Sequence, residues 1–173
     1  MSHRGQITVV LAFLFLAAIL QGRAAHALSI WGAQPDFPLI VLACGANLIG
    51  GESGAVLGLF AGLLTASLVG LDYGSYLTSR TLAGAVAGWL KRLMIRDSVI
   101  TPFLVVLATT IVAESVFVLM APAHSLHTWP LTLRWIHSVL GGLVYNIVLA
   151  YPLYIGLRKY RIGQAPSDPF SSS

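Results

Sequence analysis

Three residues capable of chemistry interrupt otherwise apolar runs: Arg80, Glu114 and His137. A charge placed in hydrocarbon is costly, and such residues normally pair or face a polar interior, so each marks a functional site or a fixed helix register. Arg80 stands eleven residues before Lys91, or roughly 16 Å at helical rise. Glu114 stands about fifteen residues into its own run, or roughly 22 Å. An arginine side chain bridges that difference in depth. Adjacent antiparallel helices would therefore pair Arg80 with Glu114, either to fix register or to line an outward-facing cavity. His137 and Asn146 lie at depths that would let them join. For His137 an interfacial or hydrogen-bonded role is the plainer reading, and no metal is expected there. The chain carries no Walker motif, metal-ligand spacing, nucleophile elbow or convincing repeat. Its one cysteine, Cys44, lies inside an apolar run and reads as a packed small residue.

A second group of residues opens an apolar run. In Gln34-Pro35-Asp36-Phe37-Pro38 a carboxylate stands between two prolines. Prolines lack a backbone donor and suit a helix start. A carboxylate at the first turn accepts unpaired N–H groups and meets the positive end of the helix dipole. The plain reading of Asp36 is a cap. The functional reading makes Pro35, Asp36 and Pro38 a surface recognised by a partner at the outer face. Further along, Gly50, Gly54, Gly58 and Gly62 recur at spacing four and lead to Ala66, and Gly84 and Gly88 repeat the spacing. Small residues four apart let helices approach closely in lipid. They serve packing within the chain, or packing against a second membrane protein.

The elements that must position these residues follow from composition. Of 173 residues, 57% are hydrophobic and 9% charged, with a mean hydropathy of +0.82. A soluble domain carries about 25% charged residues; this chain has too few to cover a globule in water. The net charge of +4 does not indicate nucleic acid, because Lys and Arg gather at the ends of apolar runs and no basic stripe with interleaved aromatics occurs. The expectation is an all-α integral membrane protein with spans over about 7–28, 37–49, 54–71, 75–90, 99–121 and 133–157. Residues 1–160 form one polytopic domain, and the Pro- and Ser-rich residues 161–173 form a disordered tail. Trp89, Trp129, Trp135, Tyr73, Tyr151 and Tyr160 cluster near span ends and read as an interfacial belt.

Charge placement sets the topology. Six spans with an inside N-terminus put Arg4, Lys91, Arg92, Arg96, Arg158, Lys159 and Arg161 on the cytoplasmic side, which satisfies the positive-inside rule at three separate places. Five spans would move the Lys91 cluster or the tail outside. A rival reading takes the first span as a signal peptide cleaved after Ala25-His26-Ala27.

Taken in order, these features resemble the MreD family of rod shape-determining proteins. The first span ends in Leu20-Gln21, and Pro35-Asp36-Phe37 opens the second. Gly58 and Gly62 stand in GLFAGLL, and Gly70 and Gly74 in GLDYG. TLAGAVAGWLKRLMIRDS and VVLATTIVAESVFVL then match the family's glycine-bearing and penultimate spans. Order, spacing and length carry the resemblance over most of residues 7 to 158. One departure is visible: an aspartate that the family often has shortly after Gly62 is replaced by Thr65-Ala66-Ser67, with Asp72 further on. Any role of that aspartate does not transfer.

The resemblance implies a non-enzymatic component of the bacterial cell-elongation machinery in the inner membrane, with both termini cytoplasmic and no cofactor. Its implied partners are MreC and, through it, MreB, RodA and a class B penicillin-binding transpeptidase. A small-residue helix face and a polar outer rim would be presented to a single-span partner. The family is also similar in architecture to the substrate-binding S components of energy-coupling-factor transporters. The second expectation is therefore an S component taking up a vitamin or metal ion, for which the depths of Arg80, Glu114 and His137 are equally suitable. The first span lacks a clean alanine ladder at spacing four, which disfavours it weakly. An intramembrane enzyme using Glu114 and His137 is a distant third.

Overall fold

The computed structural model describes residues 2–27, 34–69, 72–93, 98, 100–120 and 131–159; within these, the side chains at 23–27, 69, 131, 132, 134, 137 and 138 lie outside the description. The expected disordered tail, most of the Ala25-His26-Ala27 signal-peptide question and the His137 side chain therefore fall outside it. Among the described residues there are six helices and no strand: α1 His3–Ala27, α2 Phe37–Ile49, α3 Ser53–Val69, α4 Tyr73–Leu90, α5 Ile100–Met120 and α6 Leu131–Lys159.

The helix boundaries follow local chemistry. Asp36 caps α2, accepting from the Leu39 N–H at 2.9 Å, and Pro38 sits in the first turn. Asp72 caps α4 from a left-handed conformation, φ 37°, and accepts from both the backbone N–H and the hydroxyl of Ser75. A short Asx-type side chain is among the few that tolerate that backbone region. Gly50, at φ 79°, ends α2, and its N–H donates to Ala46 O at 2.7 Å. A side chain at Gly50 would be strained by that φ and would run into the aliphatic stem of Lys91.

Helix α2 is the axis of the bundle. Twelve of its thirteen residues are buried, and it packs against all five other helices. Around it α1 packs on α3, α3 on α4, α4 on α5 and α5 on α6. Leu39, Ile40 and Leu42 of α2 meet a core that includes Val10 and Leu14 of α1, Leu57 of α3, Val105 and Val106 of α5 and Leu157 of α6. The outer surface is also apolar. Phe15, Leu16, Phe60, Leu63, Leu119, Leu140, Val144 and Val148 are all exposed. An apolar belt on every side of a bundle is a lipid-facing surface, because water would make it an aggregation site.

Among the described residues, three segments are long and apolar enough to cross a bilayer by themselves: His3–Gly22, Ile100–Met120 and Val139–Lys159. The thirteen residues of α2 reach only about 20 Å, against about 30 Å of hydrocarbon. At least one end of α2 therefore stops inside the membrane and needs polar partners from neighbouring helices, since backbone groups in lipid cannot be left bare.

Candidate functional site

Those partners form a buried polar node at the start of α2. Five polar side chains, from α1, α4, α5, α6 and the cap of α2, converge there. Gln21 of α1 donates from Nε2 to Pro35 O at 3.0 Å and accepts from the Phe37 N–H at 2.9 Å. The Asp36 N–H donates to Asn146 Oδ1 of α6 at 3.0 Å, and Asn146 Nδ2 donates to the Thr110 hydroxyl of α5 at 3.3 Å. Asn146 and Thr110 are fully buried. The Asp36 carboxylate divides its work. Oδ1 caps α2, and Oδ2 accepts from Nη2 of Arg80 on α4 in a salt bridge. The side chains of that pair are 5% and 18% exposed for Arg80 and Asp36 respectively. The Arg80 guanidinium also lies 6.0 Å from the Tyr76 ring centroid, and Tyr76 packs on Phe117 of α5 with centroids 4.8 Å apart.

This geometry corrects the pairing expected from sequence. Arg80 makes its salt bridge with Asp36 and not with Glu114. Depth along the helix is a one-dimensional measure, and neither the cap nor the partner-surface reading of Asp36 includes an internal ion pair, although a carboxylate has two oxygens. Glu114 is half-buried on α5. Tyr76 lies within electrostatic range of Arg80, Asp36, Glu114 and Asp72, so Glu114 belongs to the neighbourhood of the node without forming its central bridge. His137 is in α6, with its side chain outside the described residues.

The opposite end of α2 is held by the same neighbour. Lys91, just beyond α4, donates from Nζ to Ile49 O at 2.7 Å, and Asn47 Nδ2 reaches back to Ala87 O of α4 at 3.3 Å. Helices α2 and α4 thus run parallel, with Arg80 at one end of α2 and Lys91 at the other. Sequence reasoning passed over Gln21, Thr110 and Lys91 in this role. Gln21 was read as a span end and Lys91 as a topology signal. The brevity of the 37–49 run was the signal that pointed to them.

The glycine ladder closes a backbone-to-backbone seam between α3 and α4. A Cβ at Gly54 would strike Gly84 O, one at Gly58 would strike Arg80 O, and one at Gly62 would come within 2.7 Å of Tyr76 O. A Cβ at Gly84 would strike Gly54 O, and one at Gly88 would come within 2.6 Å of Gly51 O. Gly54, Gly58, Gly62, Gly84 and Gly88 are all buried by this chain's own helices, so this face is not offered to a partner. Pro35 and Pro38 are likewise buried, and Asp36 is engaged by Arg80. The entrance to α2 is an internal joint and not a free recognition edge.

Chemically, the node neutralises a charge at depth and satisfies the donors of a buried helix end. Two Arg80 nitrogens, Nε and Nη1, are buried without a hydrogen-bond partner. Among the described residues no group of three His, Cys, Asp or Glu side chains is placed to hold a metal ion.

A helical polytopic bundle with a lipid-facing belt, a short buried axis and an internal ion pair tying its helices together defines an integral membrane protein. The sequence profile of the rod shape-determining protein MreD matches residues 3–161, nearly the whole chain, and the chain belongs to the MreD family. No curated protein matches it, and no solved structure does.

Proposed function

We propose that this protein is a non-enzymatic scaffold of the cell-elongation machinery in the bacterial inner membrane, binding MreC and through it helping to couple MreB to RodA and a class B penicillin-binding transpeptidase. The observation that carries the reading is the family match over residues 3–161, a family named for cell shape and not for a reaction. The architecture supports it. The bundle braces its own axis at both ends, as suits a rigid platform. With the glycine seam consumed internally, the partner surface is drawn from the exposed apolar faces, such as Phe15, Leu16 and Ile19 of α1 or Leu140, Val144 and Val148 of α6. Both termini are assigned to the cytoplasm by the distribution of Lys and Arg.

The test is co-purification with MreC from mild detergent, combined with tryptophan substitutions along the two exposed faces. Stable association, lost on one face while the bundle stays folded, is the expected result. A folded chain that never associates with MreC in detergent or in nanodiscs defeats the proposal. The two unpartnered nitrogens of Arg80 favour one second reading, an S component whose ligand supplies acceptor oxygens there. That reading requires tight, saturable binding of a small vitamin-like ligand that Arg80→Gln abolishes.

A further inference from the structure

A recess of about 300 Å³ opens between the start of α3 and the end of α4, lined by Gly51, Glu52, Ala55, Ala85, Trp89 and Arg92. It lies at the end of the bundle opposite the polar node and plays no part in it. Glu52 and Arg92 are both exposed, and they form no ion pair with one another. Two opposite charges therefore share one rim without cancelling. Trp89, 57% exposed, forms a wall at the level where tryptophans anchor to the membrane–water interface. Ala55 and Ala85 leave the floor shallow, and the exposed Val56, Leu59 and Leu82 continue it into the lipid-facing belt.

We propose that this recess binds the headgroup of a zwitterionic phospholipid carrying a primary amine, phosphatidylethanolamine. Each part of the rim has a complement in that molecule. The Arg92 guanidinium donates to the phosphate, a geometry that planar fork donors favour. The Glu52 carboxylate accepts from the ammonium, which brings three N–H donors; a choline headgroup brings none. Trp89 covers the glycerol region, and one acyl chain descends over Ala55 and Ala85 along the α3–α4 surface. The volume is at the small end of ligand sites, so the recess takes the head and leaves the tails in the bilayer. A water-soluble ligand would leave Trp89 and the adjoining apolar surface uncovered. The site is independent of the scaffold reading and of which leaflet it faces.

The experiment uses the full chain in nanodiscs holding equal amounts of phosphatidylethanolamine, phosphatidylglycerol and phosphatidylcholine. The lipids retained after mild detergent release are counted by native mass spectrometry. Wild type is expected to retain phosphatidylethanolamine preferentially. An exposed charge contact is worth about 0.2–1 kcal/mol, so Glu52→Gln should lower that preference by up to roughly fivefold. Arg92→Gln should reduce retention of all three lipids, and Glu52→Lys should turn the preference toward the anionic phosphatidylglycerol. Both positions are exposed, so the thermal midpoint should not move. Equal retention of the three headgroups by wild type, or a phosphatidylethanolamine preference that survives Glu52→Gln and Glu52→Lys, overturns the proposal.

Discussion

Replacing Asp36 with asparagine isolates the charge of the node from its shape. Asparagine is as good an N-cap as aspartate, so the bond from the Leu39 N–H survives while the negative charge does not. Arg80, 4% exposed, then keeps a buried positive charge without its bridge. Two unit charges about 3 Å apart at an effective dielectric of 20 attract by about 5 kcal/mol before desolvation. Removing one partner of a buried pair typically costs about 3–5 kcal/mol. The unfolded chain in a micelle finds substitute partners, which moves the expectation to the low end, about 3 kcal/mol. Asp36→Ala should cost about 1 kcal/mol more, because the cap is lost as well. The double variant Asp36→Asn with Arg80→Gln removes both charges and should recover about 2 kcal/mol relative to the sum of the singles. Denaturant titration of the purified protein in mild detergent, followed by tryptophan fluorescence, reads these differences. The reasoning fails if Asp36→Asn is within about 0.5 kcal/mol of wild type. It fails equally if the Arg80–Glu114 cycle yields a larger coupling than the Arg80–Asp36 cycle.

Three further outcomes are expected. Gly58→Leu and Gly62→Leu should each destabilise by at least about 1–3 kcal/mol through overpacking of the α3–α4 seam; Gly22→Ala and Gly156→Ala, where an added Cβ meets nothing within 4 Å, should be neutral or stabilise by up to about 1 kcal/mol, all by thermal melting. Lys91→Met leaves Ile49 O without its donor and should lose about 1–3 kcal/mol, with little change in lipid retention. Cys44 is fully buried on α2, so maleimide labelling should follow global unfolding and not local opening; rapid labelling of the folded protein would show that the axis is exposed.

Much of the fold was readable in the sequence because its punctuation is strong. The run from Phe37 to Ile49 is bounded by Pro35-Asp36 on one side and Gly50-Gly51 on the other, and α2 has those limits. The other five helices lie within a few residues of their expected ranges, because hydrophobic length is a local property. The glycine spacing announced a close approach but not its partner, since a four-residue period has no address. The node was harder still. Asp36 and Arg80 are 44 positions apart, and nothing in either neighbourhood names the other. Gln21, Thr110 and Asn146 are single polar residues in apolar runs. Their convergence depends on α2 being short and central, a three-dimensional fact that hydropathy does not record.

The arrangement of α4 also constrains how the chain is made. Of the six helices, α4 carries the intramembrane arginine, and neither the long nor the shorter apolar segments include it. A lone arginine at mid-helix opposes translocon-mediated insertion by about 2.5–3.5 kcal/mol. Its counter-charge is 44 residues nearer the N-terminus, so Asp36 leaves the ribosome first. In chain order, both the counter-charge of Arg80 and the α3 face that its glycine seam fits are made before the fourth segment has to enter lipid.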